Sequence, residues 1–267
     1  MSIIQVKLRS RTLMRPADFT VFLPDDLYPP TPDNPHYKRP TKTLILLHGY
    51  TVDSYEWICP SFPVEQSTKY NLAVVIPDCD SSFYLDRPGI GNKMGAYVAK
   101  DLIEYLRKTF GLARTKEDTI ISGYSMGGFG ALHTALSYPD TFGCALGLSS
   151  ALIIHDIAGM KPGPKPENVL ADYDYYREVF GDLDAVTESD NNPEVLIDKL
   201  LREGKEIPRL YMTCGDNDFL LQSNLRFRDF LRSRNVPVEY VQDEGVHDFV
   251  FWNKAIGPAI EWALEGK

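Results

Sequence analysis

The sequence predicts an α/β protein built on one mostly parallel sheet. Three observations carry that prediction. Short apolar runs rich in β-branched residues recur along the chain, longer segments of helical period separate them, and several runs end in glycine-bearing turns. Thr43-LILLHG, Asn71-LAVVIPD, Thr119-IISGYS, Cys144-ALGLSS, Arg209-LYMTCG and Val238-EYVQDEG read as sheet strands, apolar because both faces are covered. Upstream, Ile3–Arg9 and Asp18–Leu23 alternate with period two, as an antiparallel edge pair does.

The helices follow from spacing. Lys93–Phe110 places Met94, Val98, Leu102, Tyr105, Leu106 and Phe110 on one stripe, with Gly111 as its stop. Met126–Tyr138, Leu220–Ser233 and Asp248–Leu264 are further candidates, the last expected to be interrupted at Gly257-Pro258. Pro29–Pro40 reads as a turn-rich loop. From about residue 151 to 205 the pattern changes: a Pro-rich KPGPKP leads to the aromatics Tyr173, Tyr175, Tyr176 and Phe180 and then to a polar amphipathic stretch. We expect a cap or lid inserted into a single domain spanning 1–267.

Composition narrows the function. Twenty-eight basic against 37 acidic side chains give a net charge of −9, which repels nucleic acid and anionic membrane surfaces. Cys59, Cys79, Cys144 and Cys214 lie far apart with no C-x₂-C spacing, so structural zinc is not expected. No apolar run approaches the roughly 18 residues of a membrane span, and no apolar leader core follows Met1. Reduced thiols and a cytoplasmic location are the expectation.

The chemistry is carried by Gly123-Tyr124-Ser125-Met126-Gly127, a G-x-S-x-G between a predicted strand and a predicted helix. A strand that turns abruptly into a helix strains the serine and needs small neighbours, and it leaves the hydroxyl projecting at a helix N-terminus. A serine needs a positioned base, and the base needs a carboxylate to orient it. His133 falls within the following helix and His155 precedes every plausible acid loop. That leaves His247, just after the last strand. Asp216 and Asp218 both end the preceding strand, and the turn formed by Gly215–Asn217 favours Asp218. An oxyanion would be met by the backbone N–H groups of Tyr50, in the His48-Gly49-Tyr50 turn, and of Met126. His48 is expected to brace that turn.

With turn, acid and histidine set together, the chain resembles an α/β-hydrolase of the esterase D branch. It is most like the tributyrin-esterase and feruloyl- or acetyl-xylan-esterase-like members, relatives of S-formylglutathione hydrolase. The resemblance rests on LILLHGY at 44–50, SFYLD at 82–86, SGYSMGGFGAL at 122–132, FGDLD at 180–184, CGDNDFLL at 214–221 and HDFVFWNKAI at 247–256. It implies a Ser-Asp-His esterase without metal or cofactor, its acid at Asp218, acting on a small-molecule ester such as an acylated sugar. Short acyl or aryl esters of the acetyl, butyryl or feruloyl type are the expected substrates. A thioesterase and an acyltransferase would share the same groups. Trp57, Tyr175, Tyr176 and Phe180 are candidates for the substrate pocket.

Overall fold

The structure, a computed structural model, describes residues 1–24, 33–59, 62–89, 91–166 and 169–265. All eight expected strands form: β1 (Ser2–Ser10), β2 (Arg15–Leu23), β3 (Lys42–Leu47), β4 (Leu72–Pro77), β5 (Thr119–Tyr124), β6 (Cys144–Leu148), β7 (Arg209–Gly215) and β8 (Val238–Asp243). They make one sheet in the order β1-β2-β4-β3-β5-β6-β7-β8. β1 and β2 are antiparallel to each other, and β2 to β4, while the other pairs are parallel.

The alternation of side chains across β3, β4 and β5 separates two cores. Ile45, Leu47, Ala73, Val75 and Ile121 face the layer that holds the Met126–Ser137 and Ile103–Phe110 helices. Leu44, Leu46, Leu72, Val74, Ile76 and Ile120 face the Phe249–Glu265 helix on the other side. Strands covered on both faces read as unbroken apolar runs for this reason. β8 departs from the expectation, with its outer residues exposed, because it closes the sheet edge.

The helix expected over Lys93–Phe110 forms from Met94, but residues Tyr97–Leu102 take a π-helical turn within it. Gly111 ends it in the left-handed region at φ 66°. The expected interruption at Gly257-Pro258 does not occur: the Phe249–Glu265 helix runs through Pro258. The carbonyl that Pro258 leaves unpaired belongs to Lys254, an exposed residue, so water can take it up. Within Pro29–Pro40, residues 29–32 lie outside the described part, and Pro35–Lys38 forms a 3₁₀ turn. Tyr55–Ile58 and Phe62–Tyr70 are helices that the sequence pattern did not single out.

Between β6 and β7 the chain forms the Ile154–Ile157, Tyr173–Phe180 and Pro193–Glu203 helices, the last packed against the Met126–Ser137 helix. Ile154, Val179, Phe180, Leu183, Val186 and Ile197 of this segment belong to the same core as the Met126–Ser137 helix. Among the described residues, no helix is long and apolar enough to cross a membrane.

Candidate active site

The turn between β5 and the Met126–Ser137 helix holds Ser125 at φ 55° and ψ −119°, a conformation that non-glycine residues rarely adopt. Glycines make room for it. A Cβ on Gly123 would lie 2.4 Å from the Gly127 carbonyl oxygen, and one on Gly127 would lie 2.4 Å from that of Leu47. The second approach brings the turn against the end of β3, where Tyr50 stands. The Ser125 N–H donates to the Leu148 carbonyl at 2.9 Å, and its own carbonyl accepts from Phe129 and Ala151, so the turn is fastened on three sides.

His247 follows β8 and reaches back over this turn. Its Nε2 lies 3.0 Å from Ser125 Oγ, and its Nδ1 lies 2.9 and 3.1 Å from the two oxygens of Asp218. The carboxylate orients the ring: Nδ1 carries the proton donated to it, which leaves Nε2 free to accept from the serine hydroxyl. The Asp218 side chain is wholly buried. Burial would raise its pKa, but hydrogen bonds from His247, the Leu220 N–H and the Ser149 hydroxyl outweigh burial and hold it below the ordinary carboxylate range. A hydroxyl, an imidazole and a buried carboxylate thus stand in one line able to move a proton off the serine.

The other acids and histidines take different places. Asp216 is exposed and accepts from the Gly245 N–H at 3.1 Å, which ties the acid turn to the histidine loop. Asp243 pairs with Lys254 and Asp248 caps the last helix through the Phe251 N–H. His48 is fully buried, accepts from the Cys79 N–H through Nε2 and donates from Nδ1 to the Gly49 carbonyl, bracing the turn as expected. His133 is buried against Phe129, and His155 pairs with Glu194.

Met126 is the first residue of its helix, so its N–H has no carbonyl partner within that helix. Tyr50 lies in the turn after β3, its ring edge-on to Tyr175 at 5.1 Å. Tyr84 donates its hydroxyl to the His48 carbonyl at 2.9 Å, and Trp57 donates its indole N–H to that of Leu47 at 2.8 Å.

The four pocket candidates divide. Trp57 is fully buried between Tyr124 and Phe249, and Phe180 is buried against Phe83 and Phe129, so neither reaches a substrate. Both are corrections to the sequence expectation, made by packing that no local pattern encodes. Tyr175 donates its hydroxyl to the Ser81 carbonyl at 2.8 Å while its ring meets Tyr50. Tyr176 lines a cavity of about 390 Å³ with Ile153, Ile157, Val169, Leu170 and Phe219. Phe219 is exposed, and its ring centroid lies 4.6 Å from that of His247, so this side chain stands between the cavity and the imidazole loop. Arg226, on its rim, pairs with Asp156 at 3.5 Å. Among the described residues, no cluster of three or more His, Cys, Asp or Glu side chains is grouped to hold a metal ion.

Two residues around the site went unnoticed in the sequence. Ser149, just past β6, accepts from the Trp252 indole N–H at 3.0 Å, and the Trp252 ring meets both His247 and Tyr124. The only sequence signal was a tryptophan five residues after the histidine, at the start of the last helix.

The Esterase family model matches residues 10–262. The chain belongs to the Esterase family. It is a carboxylic ester hydrolase with the α/β-hydrolase fold. This esterase is 42% identical over 267 residues to the acetyl esterase of Caldicellulosiruptor saccharolyticus, with 98% of each chain covered. Among solved structures, it is similar to the S-formylglutathione hydrolase (FrmB) of Staphylococcus aureus at a TM-score of 0.80, with 29% identity and 98% of each chain covered. It is also similar to the fluorophosphonate-binding serine hydrolase F of Staphylococcus aureus, at a TM-score of 0.82, 30% identity and 98% of each chain.

Proposed function

We propose that this esterase cleaves short-chain acyl or aryl esters by a two-step serine mechanism. Ser125 attacks the ester carbonyl as His247 takes its proton, and Asp218 stabilises the imidazolium without itself becoming protonated. The N–H groups of Tyr50 and Met126 hold the oxyanion. His247 gives the proton to the departing alcohol, then draws one from water as the acyl-enzyme is hydrolysed. The observation that carries this reading is the contact of Ser125 Oγ with His247 Nε2 at 3.0 Å, backed by the 2.9 Å contact of Nδ1 with Asp218.

Since His247 protonates the leaving oxygen, the alcohol portion departs on the imidazole side, toward Phe219, which also lines the 390 Å³ cavity. An acylated sugar or another neutral alcohol suits that cavity, because Arg226 at its rim is paired with Asp156, which also lines it. The 151–205 segment acts as a fixed cap on one domain spanning 1–267. Its apolar side chains are continuous with the main core, which supports a cap that stays in place. Four unpaired thiols suit a reducing compartment such as the cytoplasm.

A thioesterase reading draws on the likeness to the Staphylococcus aureus S-formylglutathione hydrolase. The uncharged balance of the cavity rim favours neutral esters over a carboxylate-bearing thiol such as glutathione. Kinetics on acetyl and butyryl p-nitrophenyl esters beside acyl-glutathione decide between them, and added sugar acceptors report any acyl transfer. A fluorophosphonate probe should label the wild type and not Ser125→Ala. Labelling of neither, or hydrolysis undiminished in Ser125→Ala, would overturn the serine mechanism.

A further inference from the structure

The SFYLD stretch at 82–86 supplies no group of the proton line, yet its backbone is strained. Two consecutive residues, Phe83 at φ 52° and Tyr84 at φ 56°, sit in the left-handed region that residues with a side chain rarely adopt. Such strain persists only where the surroundings over-determine it, and here they do. The Phe83 ring packs against Phe129 and Phe180, and the Tyr84 N–H donates to the Ser82 hydroxyl at 3.3 Å. Tyr84 itself is fully buried, and burial pushes its phenol well above the ordinary range, so it stays a neutral donor.

Both ends of that side chain meet the site. The ring lies against the Met126–Ser137 helix at Gly130, where an added Cβ would collide with it. The hydroxyl donates to the His48 carbonyl at 2.9 Å, on the turn after β3. From there the turn is held peptide by peptide. Tyr84 takes the carbonyl of the peptide joining His48 to Gly49. His48 Nδ1 donates to the carbonyl of the next, joining Gly49 to Tyr50, at 2.9 Å, while its Nε2 accepts the Cys79 N–H at 3.1 Å. Thr51 donates the N–H of the third to the Ser81 hydroxyl at 3.0 Å. A peptide is planar and trans, so a fixed carbonyl also fixes the direction of the N–H across it. The Tyr50 N–H therefore has a set direction, and among the described residues no protein acceptor meets it.

We propose that Tyr84 is a positioning residue, a strut between the nucleophile helix and the turn after β3 that sets the separation of the Met126 and Tyr50 N–H groups, with Ser81 securing the far side of the turn. The proposal rests on the reading of those two groups as the oxyanion donors of a Ser125 mechanism. It gives the strained SFYLD backbone a task that the proton line leaves unexplained.

Tyr84→Phe removes the hydroxyl and keeps the ring. On p-nitrophenyl acetate its kcat should fall about tenfold, the scale of one hydrogen bond, with KM within about twofold, since the oxyanion forms only past the ground state. The pH at which kcat/KM rises should not move, because neither His247 nor Asp218 is touched. The deciding readout is inhibition by a trifluoromethyl ketone. Ser125 Oγ bonds to the ketone carbon, His247 takes the serine proton, and the carbonyl oxygen becomes the alkoxide that occupies the hole. The inhibition constant should rise by about the factor that kcat falls, whereas a merely loosened fold would raise KM alongside. Ser81→Ala should show the same pattern at about threefold, and it carries the test if Tyr84→Phe does not fold, because Thr51 is exposed and its N–H can turn to water. In the variant that carries the test, an unchanged kcat, or a fallen kcat with the inhibition constant unmoved, would overturn the proposal. The underlying reading fails differently: a wild type that neither the ketone nor a fluorophosphonate engages would remove the serine mechanism, whereas a strongly inhibited wild type matched by Tyr84→Phe would remove the strut alone.

Discussion

The turn after β5 and the segment between β6 and β7 meet at Ser125, yet their sequences specify structure in opposite ways. The turn is dictated residue by residue, because added carbons at Gly123 or Gly127 would press into backbone 2.4 Å away and the serine must sit at φ 55°. The segment over 151–205 carries aromatics whose places are decided by distant partners, Phe180 by Phe83 and Phe129, Tyr175 by Ser81 and Tyr50. The difference teaches that the chemistry of this esterase is written locally and its selectivity tertiarily. Substitutions in the turn should abolish turnover, whereas those at segment residues such as Tyr175, which meets Tyr50, should redistribute it among substrates.

The sharpest break is Ser125→Ala, for which kcat on p-nitrophenyl acetate should fall on the order of 10⁴–10⁶-fold with the fold intact by circular dichroism. Asp218→Asn should cost about 10⁴-fold, since an amide can hold the wrong tautomer of the ring; full activity in that variant would move the acid to another residue. Gly127→Ala tests the steric claim: we expect about 1–3 kcal/mol lost in denaturant unfolding together with most activity, because a backbone carbonyl cannot step aside. In the segment, Tyr175→Phe should shift the acetyl-to-butyryl preference by about threefold with kcat on the better ester nearly kept. Phe180→Leu should lower stability by about 1 kcal/mol and leave the preference alone.

Acid pH offers another handle on the turn side. Asp218 is held below the ordinary carboxylate range, so its ionised form favours the folded state above the unfolded value of ~3.9. That contribution is lost as pH falls through the lowered folded value. Acid unfolding of the wild type should therefore steepen below about pH 4, and Asp218→Asn should show a shallower dependence there.

The same division explains what could be read from the chain. Every strand was legible, because a strand covered on both faces must be apolar throughout and the two edge strands alternate. The Gly123–Gly127 turn and the histidine after β8 were legible because short, strained connections admit few residues. The burial of Trp57 was not, since a tryptophan near a glycine turn looks alike whether it faces a ligand or, as here, donates to Leu47 beneath the turn. Nor was the Ser149–Trp252 contact, which joins residues 103 apart through one hydroxyl and one indole that no period or spacing marks. The helix through Pro258 misled for a related reason: the cost of an interior proline was outweighed by the buried face of this helix, Ile256, Ala259, Ile260 and Ala263, which a local reading of Gly257-Pro258 does not weigh.

The placement of the thiols has a practical consequence. Cys79, Cys144 and Cys214 are buried, and burial raises the last two to about 12 and the first well above its ordinary value, so none offers a thiolate at neutral pH. Cys59 alone of the four is exposed. A maleimide dye or a surface tether should attach at that one point, yielding a uniformly oriented immobilised catalyst that keeps turning over.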